Sequence, residues 1–307
     1  MATLLSSALV LALVVISHRH VANQKKMHHL ELVWRAWLTI GLYQHQPAPA
    51  MPKGAYLRAG YAHMWREALV STDGQLRARL VRRAKACGLD SYVVRILYSG
   101  RLAHPMAVEI CLALSVLMGL KALAPRVLRF VRPTNGPLTF AAALALLRLY
   151  PNCFEQLLAR MHIERWSTAS LLALFKEAGP ERADPYIERL LPTVHPRFAA
   201  RLLSAWSQLS SMRSREVARV LLRAPATEGW LLCAALRLQR DPRDLPGVVP
   251  HLRHARWAVR LQAVKAYARL AGKEELERLR EFENDENWLI RLRVSEALCR
   301  TDTGAVR

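Results

Sequence analysis

Paired cysteines, glycine and lysine are all scarce in this chain. The five cysteines (Cys87, Cys111, Cys153, Cys233, Cys299) are odd in number and scattered, with no Cys-x-x-Cys. That spacing excludes a zinc ribbon, a thioredoxin-type redox centre and a dense disulfide framework, and a reducing compartment is expected. Only 13 of 307 residues are glycine, and no Gly-rich phosphate loop or Gly-x-Ser-x-Gly elbow is present. No stretch alternates apolar and polar residues as a half-buried strand does. None of the eleven histidines precedes a glutamate. His18-x-His20 and His28-His29 are short pairs, and His251 and His254 share a helical face at i, i+3 without a third ligand. No residue is therefore nominated as catalytic, cofactor-binding or metal-binding, and no cofactor is expected.

Apolar residues are abundant, at 52%. Leucine and alanine dominate them, and both favour helix, so the fold class is all-α. The net charge is +21, spread along the chain, and arginine supplies 37 of the 45 basic residues. Two readings of this charge stand. One is a surface for nucleic acid or anionic lipid. The other is arginine filling solvated helix faces in a GC-rich genome, since no basic block is interleaved with aromatics as in single-strand binders.

Ala2 to Ile16 carries no charge, and as a helix it covers roughly 22 Å. With Met1, Ser17 and a snorkelling Arg19 it is expected to span a membrane thinly as an uncleaved anchor over 1–20. No basic residue precedes the run and no small-residue cleavage site follows it. Arg19, Lys25 and Lys26 lie after it, which places the remainder in the cytoplasm. Residues 21–54 are expected to hold a juxtamembrane amphipathic helix and a proline-rich linker, Gln44–Lys53. Trp34, Trp37 and Tyr43 suit a membrane interface or, equally, packing on the first repeat. Helices follow over Ala55–Val70 and Gln75–Ala86; the second carries Arg77, Arg79, Arg82, Arg83 and Lys85, the densest basic patch.

Beyond residue 88 a rhythm sets in. Helices are expected to begin near Pro105, Pro137, Trp166, Pro196, Trp230, Trp257 and Trp288, a mean spacing of 30.5 residues. Each opens on Pro or Trp and runs into an Ala/Leu-rich core, and proline is well tolerated in the first helical turn. Shorter helices are expected between them, over Ala124–Val131, Pro151–Met161, Asp184–Leu191, Ser214–Leu222, Leu245–Leu252 and Lys273–Glu283. Core packing accounts for the tryptophans at this register. The acidic run Glu274 to Glu283, interleaved with Arg278 and Arg280, reads as an exposed salt-bridged helix.

Trp257-Ala-Val259-Arg260 and Trp288-Leu-Ile290-Arg291 share the pattern Trp-x-(Val/Ile)-Arg-x-x-(Ala/Val)-x-x-Ala. With Asp285, Val294, Ala297 and Leu298, they resemble the short bacterial HEAT-like repeats named after phycobilin lyases; His254 and Tyr267 depart from that pattern. The resemblance implies a right-handed α-solenoid of about seven helical hairpins over 55–300, followed by a tail at 301–307. It also implies that Arg260 and Arg291 tie one repeat to the next. Of the enzymes built on such folds, deoxyhypusine hydroxylase-like proteins need His-Glu pairs absent here. DNA glycosylases use a basic concave face with a carboxylate, and bilin lyases carry no signature to test. The expected function is a non-enzymatic, membrane-tethered scaffold binding a protein at the cytoplasmic face of a bacterial inner membrane, as in an envelope polysaccharide or secretion assembly. The alternatives are an arginine-based nucleic-acid or anionic-lipid binder and a lyase-type enzyme.

Overall fold

The computed structural model describes residues 21–41, 44, 46–99, 104–134, 136–225 and 227–303. Every regular element among them is helical, as the composition requires. The chain forms two compact units, Met1–Met161 and His162–Arg307.

In the first unit, α1 covers 21–36 and runs into a π-helical turn, Trp37–Gly41. After it come α2 (Ala55–Val70), α3 (Gly74–Ala86), α4 (Leu89–Ser99) and α5 (Pro105–Leu117). Next are α6 (Ala124–Val127), α7 (Pro137–Leu149) and α8 (Phe154–Ala159). Helices α2, α5 and α7 pack in succession, with α4 against α5 and α6 against α7. The buried faces are mostly Leu, Ala and Val, joined by Tyr61, Trp65 and Phe154, with Cys111 completely enclosed. Burial pushes the Cys111 thiol up to about 12, as expected of a small hydrophobe.

Residues 21–36 meet the rest of this unit through aromatic rings. Trp34 and Trp37 are buried. The Trp34 centroid lies 4.6 Å from Trp65, 5.2 Å from Trp37 and 5.7 Å from Tyr61. Trp37 Nε1 donates to the Gln46 carbonyl at 3.3 Å, and the Tyr61 hydroxyl donates to the Pro49 carbonyl. The proline-rich linker is thus held against α2 rather than serving as a loose spacer. Packing, not a membrane interface, accounts for these two tryptophans; Tyr43 lies outside the described residues.

This corrects the expected single-pass localisation. Among the described residues, no helix is long and apolar enough to cross a membrane. Helix α1 carries Lys25, Lys26, Glu31 and Arg35. Helix α5, with 13 residues, spans only about 20 Å of a ~30 Å hydrocarbon core. The stretch assigned as an anchor, 1–20, lies outside the described residues.

The second unit holds α9 (Thr168–Ala178), α10 (Pro180–Leu190), α11 (Pro196–Leu209), α12 (Ser211–Arg223) and α13 (Gly229–Leu238). It continues with α14 (Leu245–Val248), α15 (Trp257–Leu270), α16 (Lys273–Leu276) and α17 (Trp288–Thr303). Helices α9, α11, α13, α15 and α17 pack each on the next, and α12 and α14 meet on the return side. Gly179 ends α9 at φ 83°, a left-handed conformation that glycine adopts without strain. The chain reverses there and Pro180 starts α10.

All seven rhythmic helices begin within two residues of their expected starts. The segments between them are less regular than expected. Leu245–Leu252 divides into α14 and a 3-10 stretch, Val249–Arg253, and Lys273–Glu283 divides into α16 and the 3-10 stretch Glu277–Phe282. Helix α10 starts four residues earlier than expected and contains Pro185.

Candidate binding groove

Hydrogen bonds between successive helices of the second unit set the geometry of one edge. Cys233 Sγ reaches the Ala258 carbonyl at 3.5 Å, and Arg237 Nε donates to Gln262 Oε1 at 3.3 Å. Both links join residues 25 apart, so α13 and α15 run in the same direction. Lys265 in the middle of α15 faces Arg293 and Glu296 of α17, while Arg260 near its start reaches Asp285 just before α17. Helix α17 therefore runs the same way. The first turns of all three helices lie along one edge.

Each first turn presents a tryptophan. Trp230, Trp257 and Trp288 are 55%, 47% and 62% exposed. Core packing, the role expected for tryptophans at this register, holds only for Trp166, which is buried. The reason is local. In the first turn, a side chain's direction depends on how the preceding loop enters the helix. Here the apolar positions two residues later, Leu232, Val259 and Ile290, take the interior.

The loops before α15 and α17 are built by arginine. Arg260 Nη1 donates to the carbonyls of His254 and Ala255, both at 3.1 Å. Arg291 Nη1 repeats this one repeat later, reaching Asp285 O at 2.7 Å and Glu286 O at 3.1 Å. The other side of the Arg260 guanidinium forms a bidentate pair with Asp285, Nε to Oδ2 at 2.9 Å and Nη2 to Oδ1 at 3.0 Å. Burial pushes the Asp285 carboxyl up, yet the bonds from Arg260 and the Asn287 N–H, with the Arg260 charge, hold it below the ordinary value.

His254 stands where Asp285 does one repeat later and does the same capping work. Its Nδ1 accepts the Arg256 N–H at 3.0 Å. Burial and the neighbouring His251 lower its pKa, which favours the neutral ring that can accept this bond. His251 Nε2 lies 3.0 Å from the Leu222 carbonyl. The pair therefore serves capping and repeat stacking. Among the described residues, no group of three or more His, Cys, Asp or Glu side chains is placed to hold a metal ion.

Below the tryptophan edge lies a groove of about 970 Å³. Ala200, Ala234 and Ala258 leave its floor open, and Trp230 and Trp257 stand at its side. Five arginines and one carboxylate, Glu286, line it. Two of the arginines are matched by acids: Arg260 by Asp285, and Arg256 by Glu228 at 3.4 Å. The other three are held by neutral groups. Arg197 lies over the Trp230 ring at 5.3 Å. Arg201 donates to the carbonyls of Trp166, at 3.0 Å, and Glu164. Arg237 bonds Gln262. Gly229 admits Arg256: a Cβ there would lie 2.9 Å from Nη1 and 3.0 Å from Cδ.

A second cavity, about 1000 Å³, lies in the first unit among α2, α4 and α5, with Met27 at its edge. The Met27 tip occupies the space a side chain at Gly60 would need. On α3, Arg79, Arg82 and Lys85 are exposed along one face, while Arg77 turns inward to the Thr72 carbonyl at 2.7 Å. Sequence reasoning singled out this basic patch and missed the groove, whose arginines are far apart in sequence. The one signal available was the run of tryptophans at successive helix starts. No family model, curated protein or solved structure matches the chain.

Proposed function

We propose that the chain is a HEAT-like α-solenoid scaffold that binds a partner protein along the tryptophan edge of its second unit. The observation that carries this reading is the row of half-exposed rings at Trp230, Trp257 and Trp288, on three helices running in one direction beside an alanine-floored groove. Leaving three indoles in water is costly at roughly 25 cal/mol per Å². Tryptophan and arginine are also the residues that dominate protein-interface energetics. The parallel helix row and its arginine links favour a repeat scaffold.

A photo-crosslinking residue placed at Trp257 in cells tests the reading. The expected product is a discrete protein adduct that is absent when the same residue replaces exposed Lys273. Adducts with nucleic acid, or none from either position, would overturn it.

A further inference from the structure

The groove's spacing and charge carry the reading further, to the chemistry of its occupant. We infer that the groove takes an extended, acidic, polyproline-II-type segment of the partner, running across α11, α13 and α15; this rests on the partner-binding reading above. Packed helices lie about 8–10 Å apart. A polyproline-II segment advances about 3.1 Å per residue with three residues per turn, so every third side chain returns to the same face after ~9 Å. Such a segment lying across the row presents one apolar position to each successive helix start, against Trp230 and then Trp257. Aromatic-walled grooves receive this conformation because it enters already ordered and loses little entropy.

Charge then selects among such segments. Arg256 with Glu228 and Arg260 with Asp285 are internally matched, which leaves Arg197, Arg201 and Arg237 against Glu286. That surplus lines the groove, with Arg197 and Arg237 exposed and Arg201 half-buried, and complements carboxylates on the segment. A single-stranded nucleic acid fits less well. It needs unmatched basic side chains along the whole track, and two of the five here are already committed to carboxylates.

The test uses the full chain and three fluorescein-labelled probes: (Glu-Pro-Pro)4, (Lys-Pro-Pro)4 and oligo(dT) of twelve nucleotides, each followed by anisotropy. The acidic peptide is expected to bind saturably and to quench tryptophan fluorescence, with the basic peptide inert. Trp257→Ala should weaken binding at least about 10-fold, the loss expected at an interface hot spot, and Trp257→Phe should restore much of it. Unchanged far-UV circular dichroism checks that both variants fold; the half-exposed position makes that the expected result. Arg197→Ala with Arg237→Ala should abolish the preference for acidic over basic peptide. Equal binding of both peptides, or acidic-peptide binding indifferent to Trp257, overturns the inference. Tighter binding of the oligonucleotide, lost in the same variants, reassigns the groove to nucleic acid. If the acidic peptide fails while the crosslink at Trp257 still captures a protein, only the chemistry of the occupant is wrong; if both fail, the partner-binding reading fails with it.

Discussion

Arg260 and Asp285 form the pair that ties α15 to the loop before α17. The aspartate accepts from Arg260 of the previous repeat and from the Asn287 N–H of its own loop, and its side chain is only 7% exposed. Removing it leaves a largely enclosed guanidinium without its counter-charge. Asp285→Ala is therefore expected to destabilise the second unit by roughly 2 kcal/mol, the scale of a charged hydrogen bond, as measured by urea denaturation. The pH dependence has a definite sign. The folded pKa lies below the ordinary 3.8, so the contribution is complete above that value and disappears as pH falls through the folded one. The gap between native and Asp285→Asn proteins should thus close in acid below about pH 4. A gap that stayed constant down to pH 2 would show that the pair does not couple to folding. Asp184 does related work by another route: its Oδ1 accepts the buried Trp206 Nε1 hydrogen at 2.7 Å.

Among the elements, α1 separates what was legible in the sequence from what was not. Large apolar residues at helical spacing, Leu30, Val33 and Trp34 in α1 and Trp37 and Ile40 in the turn after it, make a helix legible here, but not the medium its apolar side enters. Indole suits a bilayer interface and a protein core equally well on hydrophobicity alone. The partner rings, Tyr61 and Trp65, lie more than twenty residues away, and no local pattern links them. Trp34→Ala is expected to cost about 3 kcal/mol, as for a buried aromatic deletion, and to flatten the near-ultraviolet circular dichroism of the cluster. Wild-type stability with an unchanged aromatic signal would mean that α1 is not docked. The seven rhythmic helices were legible for the opposite reason: proline or tryptophan at the start and Ala/Leu runs after it are local signals. The short 3-10 segments were not. Pro246 and Pro250 interrupt the backbone ladder through 242–253, and packing against α15 decides what remains. The exposed tryptophans were misread because register alone does not say which way a first-turn side chain points.

At the scale of the whole molecule, the bonds joining neighbouring segments of the second unit recur at separations of 25 to 30 residues in sequence. They include Arg219 to Asp244 and Arg213 to Glu188 at 25 residues, Arg253 to Glu281 at 28, and His251 to Leu222 at 29. Arg269 to Gln239 adds one at 30. Arg269 also reaches the Leu236 carbonyl, so a cation sits on the last carbonyls of α13, where the helix dipole favours it. Much of the arginine excess in the second unit is thus engaged in joining neighbours, and net charge alone is a poor guide to what this protein binds. Links of this kind lie within the unit His162–Arg307, which also has its own interior of Phe175, Leu202, Trp206, Ala263 and Val294. A domain of this size buries about 68–70% of its unfolded surface, enough to fold alone. The fragment 162–307 is therefore expected to be helical, to unfold in one cooperative transition, and to bind the acidic peptide as the full chain does. A fragment that bound hydrophobic dye and melted without a transition would instead be a collapsed state lacking fixed packing, and its interior would depend on residues before 162. Cooperative unfolding with lost peptide binding would separate the two questions: the unit would fold by itself, and the groove, whose lining lies wholly within 162–307, would not be the peptide's site.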